Sequence, residues 1–189
     1  MQSTLHYLEK LVAFPTVSRD SNLELIDYIA SELDVMGIAS TLIHSEDGRK
    51  ANLWATIGPP DGQGIALSGH TDVVPVEGQN WSSDPFTLTQ RGGNLLGRGS
   101  ADMKGFIAAC LHLAQHAGRR KLHTPLHFAF SYDEEIGCIG VRRMLDMLKA
   151  MPVRPRLCIV GEPTMLQVVT AHKGKLGYRM TAHGLEAHS

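Results

Sequence analysis

The chain has 189 residues, of which 43% are hydrophobic and 20% are charged, values typical of a globular domain with a sizeable core. Eighteen Lys and Arg residues against nineteen Asp and Glu residues give a formal net charge of −1. This balance gives no electrostatic basis for binding nucleic acid or an anionic membrane. Apolar runs such as Phe106–Leu111 are far shorter than the roughly 18 residues of a membrane span.

Two features of the sequence favour a cytoplasmic location. Glu9 and Lys10 fall early in an amphipathic pattern, which is not how a secretory signal peptide begins. Cys110, Cys138 and Cys158 are widely spaced and have apolar neighbours, which predicts reduced, buried thiols rather than a disulfide. We therefore expect a cytoplasmic protein that contains no structural disulfide.

The first forty residues have the pattern of two scaffold helices. Apolar residues recur at helical spacing before Pro15, and again between Ser21 and Gly37. Ser21 and Glu24 form the sequence signature of a capping box, which predicts Ser21 as the N-cap residue of the second helix. Neither helix carries a residue that suggests chemistry.

Downstream of these helices, short apolar strands alternate with further helices. The predicted elements are strands at 40–45, 52–57 and 65–68, a hairpin at 86–90 and 94–96, a helix at 103–117, a strand at 126–131, a helix at 141–148, and strands at 156–160, 168–172 and 176–182. Strands that alternate with helices of ten or more residues indicate a layered α/β fold. We expect a mixed, largely parallel central sheet flanked by helices.

Residues that can bind a metal ion follow several of these strands. They are His70 and Asp72 after the strand at 65–68, Glu134 and Glu135 after the strand at 126–131, Glu162 after the strand at 156–160, and Asp102 in a glycine-rich loop before a helix. Ligands bind at the carboxyl ends of strands in open α/β sheets, because the connecting loops meet there. One imidazole among several carboxylates suits a divalent ion, and zinc is the best fit.

Each of these residues, taken singly, has a less specific interpretation. A lone His70 is more often a partly buried histidine than a ligand, and Asp102 could be a helix N-cap. The glutamates could be solvated loop residues. Asp72 changes the balance for His70, because a carboxylate two residues away can orient the imidazole of a metal-bound histidine. Polar residues at successive strand ends therefore favour a metal site.

Four motifs along the chain resemble those of the dinuclear zinc metallopeptidases of the M20 family. They are His70-Thr-Asp-Val-Val-Pro75, Gly97-Arg-Gly-Ser-Ala-Asp102-Met-Lys-Gly105, Asp133-Glu-Glu-Ile-Gly137 and Gly161-Glu-Pro-Thr164. The motifs occur in the family's order and extend over nearly the whole chain. The stretch at 168–175 is most similar to the acetylornithine deacetylase branch, a weaker signal than the metal motifs. The resemblance implies the layered fold of the zinc exopeptidases.

The resemblance also implies which residues bind metal. His70 and Glu162 resemble ligands of one zinc ion, and Glu135 resembles a ligand of a second. Asp102 resembles the carboxylate that bridges both ions, and the peptide bond from Asp102 to Met103 is expected to be cis. Two Zn²⁺ ions are implied for an intact active site, and Co²⁺ is expected to substitute for them.

Two further residues resemble groups that act without binding a metal. Glu134 resembles the general base, which takes a proton from the attacking water and delivers it to the leaving amine. Asp72 resembles the carboxylate that orients His70. The reaction implied by the resemblance is hydrolysis of the amide bond of an N-acyl amino acid, with the metal ions activating the water.

The resemblance further implies how the chain is divided. Residues 1–174 correspond to a catalytic metal-binding domain without its C-terminal segment. Residues 175–189 correspond to the start of an inserted dimerisation or lid domain. Within it, His188 resembles a histidine that reaches the active site of the partner subunit and stabilises the oxyanion. We therefore expect an amino-terminal fragment of a homodimeric enzyme.

The function implied most directly is deacetylation of N2-acetyl-L-ornithine to ornithine and acetate in arginine biosynthesis. Deacylation of acetylcitrulline or succinyl-diaminopimelate, and a carboxypeptidase or dipeptidase reaction, are alternatives within the same class. A metal-free binding module is an alternative from another class, and the intact set of site residues argues against it. A catalytically inert fragment is a further alternative. The expected partner is a small-molecule substrate, with no nucleic acid and no membrane.

Overall fold

The computed structural model describes residues 2–171, 173–174 and 178–185. Its elements are α1 (Thr4–Val12), α2 (Leu23–Val35), β1 (Ser40–His44), β2 (Ala51–Ile57), β3 (Ile65–His70), β4 (Thr89–Arg91), β5 (Asn94–Leu96), α3 (Lys104–Ala117), β6 (Leu126–Ser131), α4 (Val141–Ala150) and β7 (Leu157–Val160). Among the described residues, no helix combines the length and apolar character needed to cross a membrane.

Five strands form one mixed sheet in the order β1-β2-β6-β3-β7, and β4 pairs with β5 in a separate hairpin. The β1–β2 and β2–β6 pairs are antiparallel, whereas β3 is parallel to both β6 and β7. The predicted mixed sheet flanked by helices is therefore confirmed, with two of its four pairings parallel. Because β3, β6 and β7 run in the same direction, their carboxyl ends lie at one edge of the sheet.

The sheet has a hydrophobic core on each face. Residues of α1, α2 and α3 share one core with Leu53 and Phe130 of the sheet. On the other face, α4 packs through Met144 against a cluster that contains Trp54 and Ala129. Neighbouring residues of β2 and β6 alternate between the cores, because successive side chains of a strand point to opposite faces. The sheet edge that carries the polar residues is thus supported from both sides.

The start of α2 differs from the predicted capping box. Its N-cap residue is Asn22, not Ser21, and the Asn22 side chain does not cap the helix. That side chain instead donates to the Ala51 carbonyl at 2.9 Å, accepts from the Ala51 amide at 3.0 Å and donates to the Thr71 hydroxyl at 2.9 Å. Asn22 is buried, so its side chain joins distant segments. The exposed Ser21 hydroxyl accepts the amide of Leu23, the first residue of α2, at 3.2 Å.

The C-terminal part also differs from the prediction. Residues 168–171 and 178–182 form no strand, and residues 172 and 175–177 lie outside the described residues. The side chains of Met165, Val168 and Met180 are 88%, 92% and 95% exposed. An apolar alternation becomes a strand only where a neighbouring strand and a buried face are available. In the described residues, this segment pairs with no strand and these side chains are not buried.

All three cysteines are free, as predicted, but only Cys110 is buried. Cys138 lies in the loop between β6 and α4, and Cys158 lies in β7, the last strand of the sheet. The expectation of burial is wrong for these two residues, because none of the described elements covers them. Their apolar sequence neighbours are themselves exposed, as Ile139 and Leu157 show.

Replacing Asn22 by alanine should lower the free energy of unfolding by about 2–6 kcal/mol. The change leaves the buried amide and carbonyl of Ala51 without partners, and each such group costs about 1–3 kcal/mol. Ser21→Ala is the matched control, because the exposed Ser21 hydroxyl bonds surface backbone groups and its loss should cost less than about 1 kcal/mol. Urea unfolding followed by circular dichroism measures both. Equal losses would contradict this account of α2.

Candidate metal centre

His70 is the last residue of β3, and only 2% of it is exposed. Its Nδ1 lies 2.9 Å from the backbone carbonyl of Asp72 and 3.6 Å from the carboxylate of the same residue. Its Nε2 lies 2.9 Å from Oδ1 of Asp102. When Nδ1 donates its proton to Asp72, Nε2 is the nitrogen that offers a lone pair to an ion.

Carboxylates surround Nε2 of His70. Oδ1 of Asp102 is 2.9 Å away, and Oε2 of Glu134 and Oε1 of Glu162 are each 3.8 Å away. Ligand atoms of His70, Asp102 and Glu162 all lie within 4.8 Å of one another, and so do those of His70, Glu134 and Glu135. The side chains of Asp102, Glu134 and Glu162 are 50%, 37% and 35% exposed. An ion or a substrate can therefore reach the carboxylates from solvent.

Asp102 reaches this position from the turn that precedes α3. Its peptide bond to Met103 is cis, as the resemblance implies. Gly99 in the same turn has a φ of +82°, and a Cβ there would lie 2.8 Å from a methyl carbon of Val73, so the turn requires glycine. The N-cap residue of α3 is Met103. The alternative interpretation of Asp102 as a helix cap is therefore wrong.

Glu162 reaches the centre because the chain after β7 passes very close to α3. A Cβ on Gly161 would lie 2.0 Å from the ring of Phe106, so only glycine fits at this position. The Gly161 amide also donates to the Ser68 carbonyl of β3 at 3.1 Å. These two contacts hold Glu162 beside the end of β3, where His70 lies.

The centre concentrates negative charge that a cation would neutralise. Burial raises the pKa of Glu135, and the charge of Asp102 raises it further. Burial also raises the pKa of Glu162, with His70 opposing and Asp102 adding to the effect. Burial by itself would lower the pKa of His70, but hydrogen bonding and charge from Asp72 and Asp102 raise it to about 9. One imidazole nitrogen among crowded carboxylate oxygens fits a divalent ion such as zinc.

Asp72 connects the imidazole to the glutamates. Its Oδ1 accepts the Glu134 amide at 3.1 Å, and its Oδ2 accepts the Glu135 amide at 3.3 Å and the Ser18 hydroxyl at 2.6 Å. Burial alone would raise the pKa of Asp72, but the nearby imidazole of His70 and hydrogen bonds from the Ser18 hydroxyl and the Glu134 amide lower it. These bonds favour the ionised form of Asp72, whose carboxylate lies between the ring and the turn that carries the glutamates.

Four polar residues around the centre were missed by the sequence reasoning. Ser18 and Lys50 come from loops without any motif. Lys104 is fully buried and donates to the Phe14 carbonyl at 2.6 Å, and burial lowers its pKa to about 7. Asp133 accepts a bond from Lys50. Of these four residues, Lys104 and Asp133 could have been found from the sequence, because both lie inside a motif. Lys104 is two residues after Asp102, and Asp133 directly precedes Glu134.

The structure thus brings together His70, Asp72, Asp102, Glu134, Glu135 and Glu162, all predicted from the sequence. The roles assigned to them individually stay predictions. His188, the predicted oxyanion-stabilising residue, lies outside the described residues.

Comparison with known proteins identifies the family. Residues 66–184 match the model of peptidase family M20/M25/M40, which is more than half of the chain. The chain belongs to this family. The M20 resemblance inferred from the four motifs is therefore confirmed.

Curated proteins similar to this chain include two bacterial acetylornithine deacetylases. An acetylornithine deacetylase of Pasteurella multocida (strain Pm70) is 37% identical over 194 residues, which cover 99% of this chain and 50% of that protein. An acetylornithine deacetylase of Shigella sonnei (strain Ss046) is 38% identical over 186 residues, which cover 95% of this chain and 48% of that protein. The chain spans about half the length of the curated relatives it matches.

Solved structures show the same fold. An M20 family metallo-carboxypeptidase of Sulfolobus solfataricus superposes with a TM-score of 0.73 at 21% identity, covering 85% of this chain and 37% of that chain. Human carnosine dipeptidase 1 superposes with a TM-score of 0.71 at 22% identity, covering 83% of this chain and 38% of that chain. The M20 chain thus has the layered metallopeptidase architecture that the motifs implied.

Replacing His70 by alanine should weaken Zn²⁺ or Co²⁺ binding by more than about 100-fold. The loss of a ligand should exceed the 10–100-fold effect typical of residues that only support one. Isothermal titration measures the affinity, and His116→Ala serves as the common background. The imidazoles of His112 and His116 have ring centroids 4.9 Å apart, so the two could chelate an ion at a second place. The His116→Ala substitution removes this competing pair. Unchanged affinity in a folded His70→Ala protein would remove His70 from the site.

The 189-residue chain should hold about one metal ion tightly. Both groups of metal-ligating side chains found among the described residues use His70, and its Nε2 can bind one ion. At this centre, the described residues would offer a second ion only carboxylates, whereas zinc sites normally have three or four protein ligands that include nitrogen or sulfur. Elemental analysis after dialysis gives the stoichiometry. Two tightly held ions per chain would contradict this expectation and point to a ligand outside those residues.

Proposed function

We propose that this chain supplies the metal centre of an amidohydrolase that deacetylates N2-acetyl-L-ornithine to ornithine and acetate. The observation that carries the proposal is the cluster of Asp102, Glu134 and Glu162 within 3.8 Å of one buried imidazole nitrogen. The proposed substrate is supported by relatives named acetylornithine deacetylase, at 37% and 38% identity. The proposed pathway is arginine biosynthesis, and the proposed location is the cytoplasm.

The metal is proposed to be zinc, with cobalt as a functional substitute. His70, Asp102 and Glu162 would hold one ion, and Asp102 and Glu135 would contribute to a second. When bound, such ions polarise the amide carbonyl and make water a better nucleophile at neutral pH. The donor set of one nitrogen and several carboxylate oxygens supports this choice.

Glu134 is the proposed general base. Its Oε2 is 3.8 Å from Nε2 of His70, and its side chain is 37% exposed, so that water can reach it beside the metal ligands. A carboxylate at this position can take the proton of the attacking water and deliver it to the leaving amine. Asp72 is proposed to keep the His70 imidazole and the turn that carries Glu134 and Glu135 in fixed positions during these steps.

Residues 1–174 are proposed as a catalytic domain and residues 175–189 as the start of a dimerisation or lid domain. The exposed apolar side chains at Leu166, Tyr178 and Leu185 support a change of role near this boundary, because they contribute nothing to the cores. His188 is proposed to stabilise the oxyanion in the partner subunit of a homodimer. Loss of one hydrogen-bond donor to an oxyanion typically lowers turnover by about 10²–10³-fold.

The substrate is tested with a panel offered to the longest available form of the protein that contains this chain. N2-acetyl-L-ornithine, acetylcitrulline, succinyl-diaminopimelate and a dipeptide are compared by kcat/KM, with release of the free amine as the signal. The highest value is expected for N2-acetyl-L-ornithine. Preference for the dipeptide would replace the deacetylase proposal by a peptidase. If a metal-loaded protein as long as the curated relatives turned over none of these amides, the proposal would be contradicted.

Glu134→Gln in the same protein should lower turnover by roughly 10²–10⁴-fold, the usual contribution of a general base, while metal content stays nearly unchanged. Glu135→Gln is the matched comparison, because it removes a proposed ligand and should lower metal occupancy. Steady-state kinetics and elemental analysis are carried out on both variants. If the two substitutions exchanged these effects, the roles of the neighbouring glutamates would have to be exchanged too.

A further inference from the structure

The loop at 16–18, between α1 and α2, runs beside the segment that follows His70. Val17 and Val73 form an isolated parallel β-bridge. The Val73 amide donates to the Thr16 carbonyl at 2.9 Å, and the Ser18 amide donates to the Val73 carbonyl at 3.1 Å. These backbone bonds fix the loop along one side of Asp72, although the loop carries no predicted site residue.

The Ser18 side chain completes the set of donors around Asp72. Its hydroxyl donates to Oδ2 at 2.6 Å, and this contact is shorter than the 3.1 Å and 3.3 Å bonds from the Glu134 and Glu135 amides. Ser18 and Asp72 are 4% and 2% exposed, so water has little access to replace the bond. A buried carboxylate that loses a donor must find another partner or move.

Lys50 ties the same loop to the turn that carries the glutamates. Its ammonium donates at 2.5 Å to the Ser18 carbonyl and at 2.5 Å to Oδ1 of Asp133. The side chains of Lys50 and Asp133 are 15% and 9% exposed. Asp133 directly precedes Glu134 and has a φ of 58°, a conformation that residues other than glycine rarely adopt. The charge contact with Lys50 stabilises Asp133 in that conformation.

We propose that Ser18 and Lys50 are positioning residues of the metal centre. Ser18 fixes the Asp72 carboxylate that orients His70, and Lys50 fixes Asp133 and thereby the direction in which Glu134 and Glu135 leave β6. The two residues act through Asp72 and Asp133 and touch neither an ion nor a substrate. This inference rests on the proposed function, because it assumes that the centre binds a divalent metal.

A positioning role and a merely structural role have different consequences. If Ser18 and Lys50 only support the fold, their loss lowers stability and leaves the ligand geometry of the folded protein unchanged. If they position ligands, their loss changes metal affinity and the electronic spectrum of a bound Co²⁺ ion. Residues that support metal ligands typically contribute 10–100-fold to affinity.

The test uses Co²⁺ as the probe with the 189-residue chain in the His116→Ala background. Ser18→Ala and Lys50→Met should each weaken Co²⁺ binding by about 10–100-fold and alter its visible absorption spectrum. Ser18→Thr and Lys50→Arg, which keep the hydroxyl and the charge, should recover most of the affinity and the original spectrum. Urea unfolding of the metal-free variants records any loss of stability separately.

Arg19→Ala is the matched control. Arg19 follows Ser18 directly, but its guanidinium is exposed and pairs with Glu77 and Asp20, away from the site residues. Its loss should leave Co²⁺ affinity and spectrum unchanged. A double-mutant cycle that combines Lys50→Met with Asp133→Asn should show strongly non-additive losses of Co²⁺ affinity. Either substitution alone already breaks the contact between the two side chains, so the second adds little to the loss.

Folded Ser18→Ala and Lys50→Met proteins that bind Co²⁺ with unchanged affinity and spectrum would overturn the positioning role and leave the proposed function standing. Failure of the His116→Ala chain, which is the reference protein of this test, to bind Co²⁺ would overturn both. If Ser18→Ala does not fold, Ser18→Cys takes its place, because the thiol keeps the side chain but is a weak donor. An additive cycle would overturn the assignment of Lys50 to Asp133.

Discussion

The buried carboxylate of Asp72 accepts bonds from the Glu134 and Glu135 amides and from the Ser18 hydroxyl, and it lies 3.6 Å from Nδ1 of His70. A buried charge is tolerated only when its oxygens are fully hydrogen-bonded or paired. The end of β3, the turn after β6 and the loop after α1 must therefore assemble together around it. The contacts that stabilise the buried charge of Asp72 also bring the imidazole of His70 and the turn with Glu134 and Glu135 close together.

The sheet makes this assembly accessible to a ligand. Parallel pairing of β3 with β6 and β7 brings the ends of three strands to one edge, and each end delivers a potential ligand. Burial raises the pKa values of Glu135 and Glu162, and repulsion from the neighbouring carboxylate of Asp102 raises them further. A fold that keeps such groups together without a neutralising cation bears an electrostatic cost, which a bound divalent ion removes.

Much of the fold and of the centre could be predicted because the signals are local. Alternation and helical spacing reflect which face of an element is buried, so the strand at 126–131 matches β6 in both bounds and the helix at 103–117 differs from α3 by one residue. His70, Glu134 and Glu162 stand directly at or after strand ends, where short apolar runs stop. Their convergence follows from the direction of the strands, which the alternation of strands with helices also indicates.

By itself, the sequence determined the order of the elements from α1 to β7, the mixed sheet, the family and the residues that converge at the strand ends. Only the tertiary structure decided that Ser18 bonds Asp72 across 54 residues and that Lys50 bonds Asp133 across 83 residues. It also decided that the N-cap residue of α2 is Asn22 and not Ser21. Single polar residues in loops carry no periodic signal, and their partners are set by which distant segments pack together. The same reason explains why residues 168–171 form no strand: strand formation requires a partner that the local pattern does not encode.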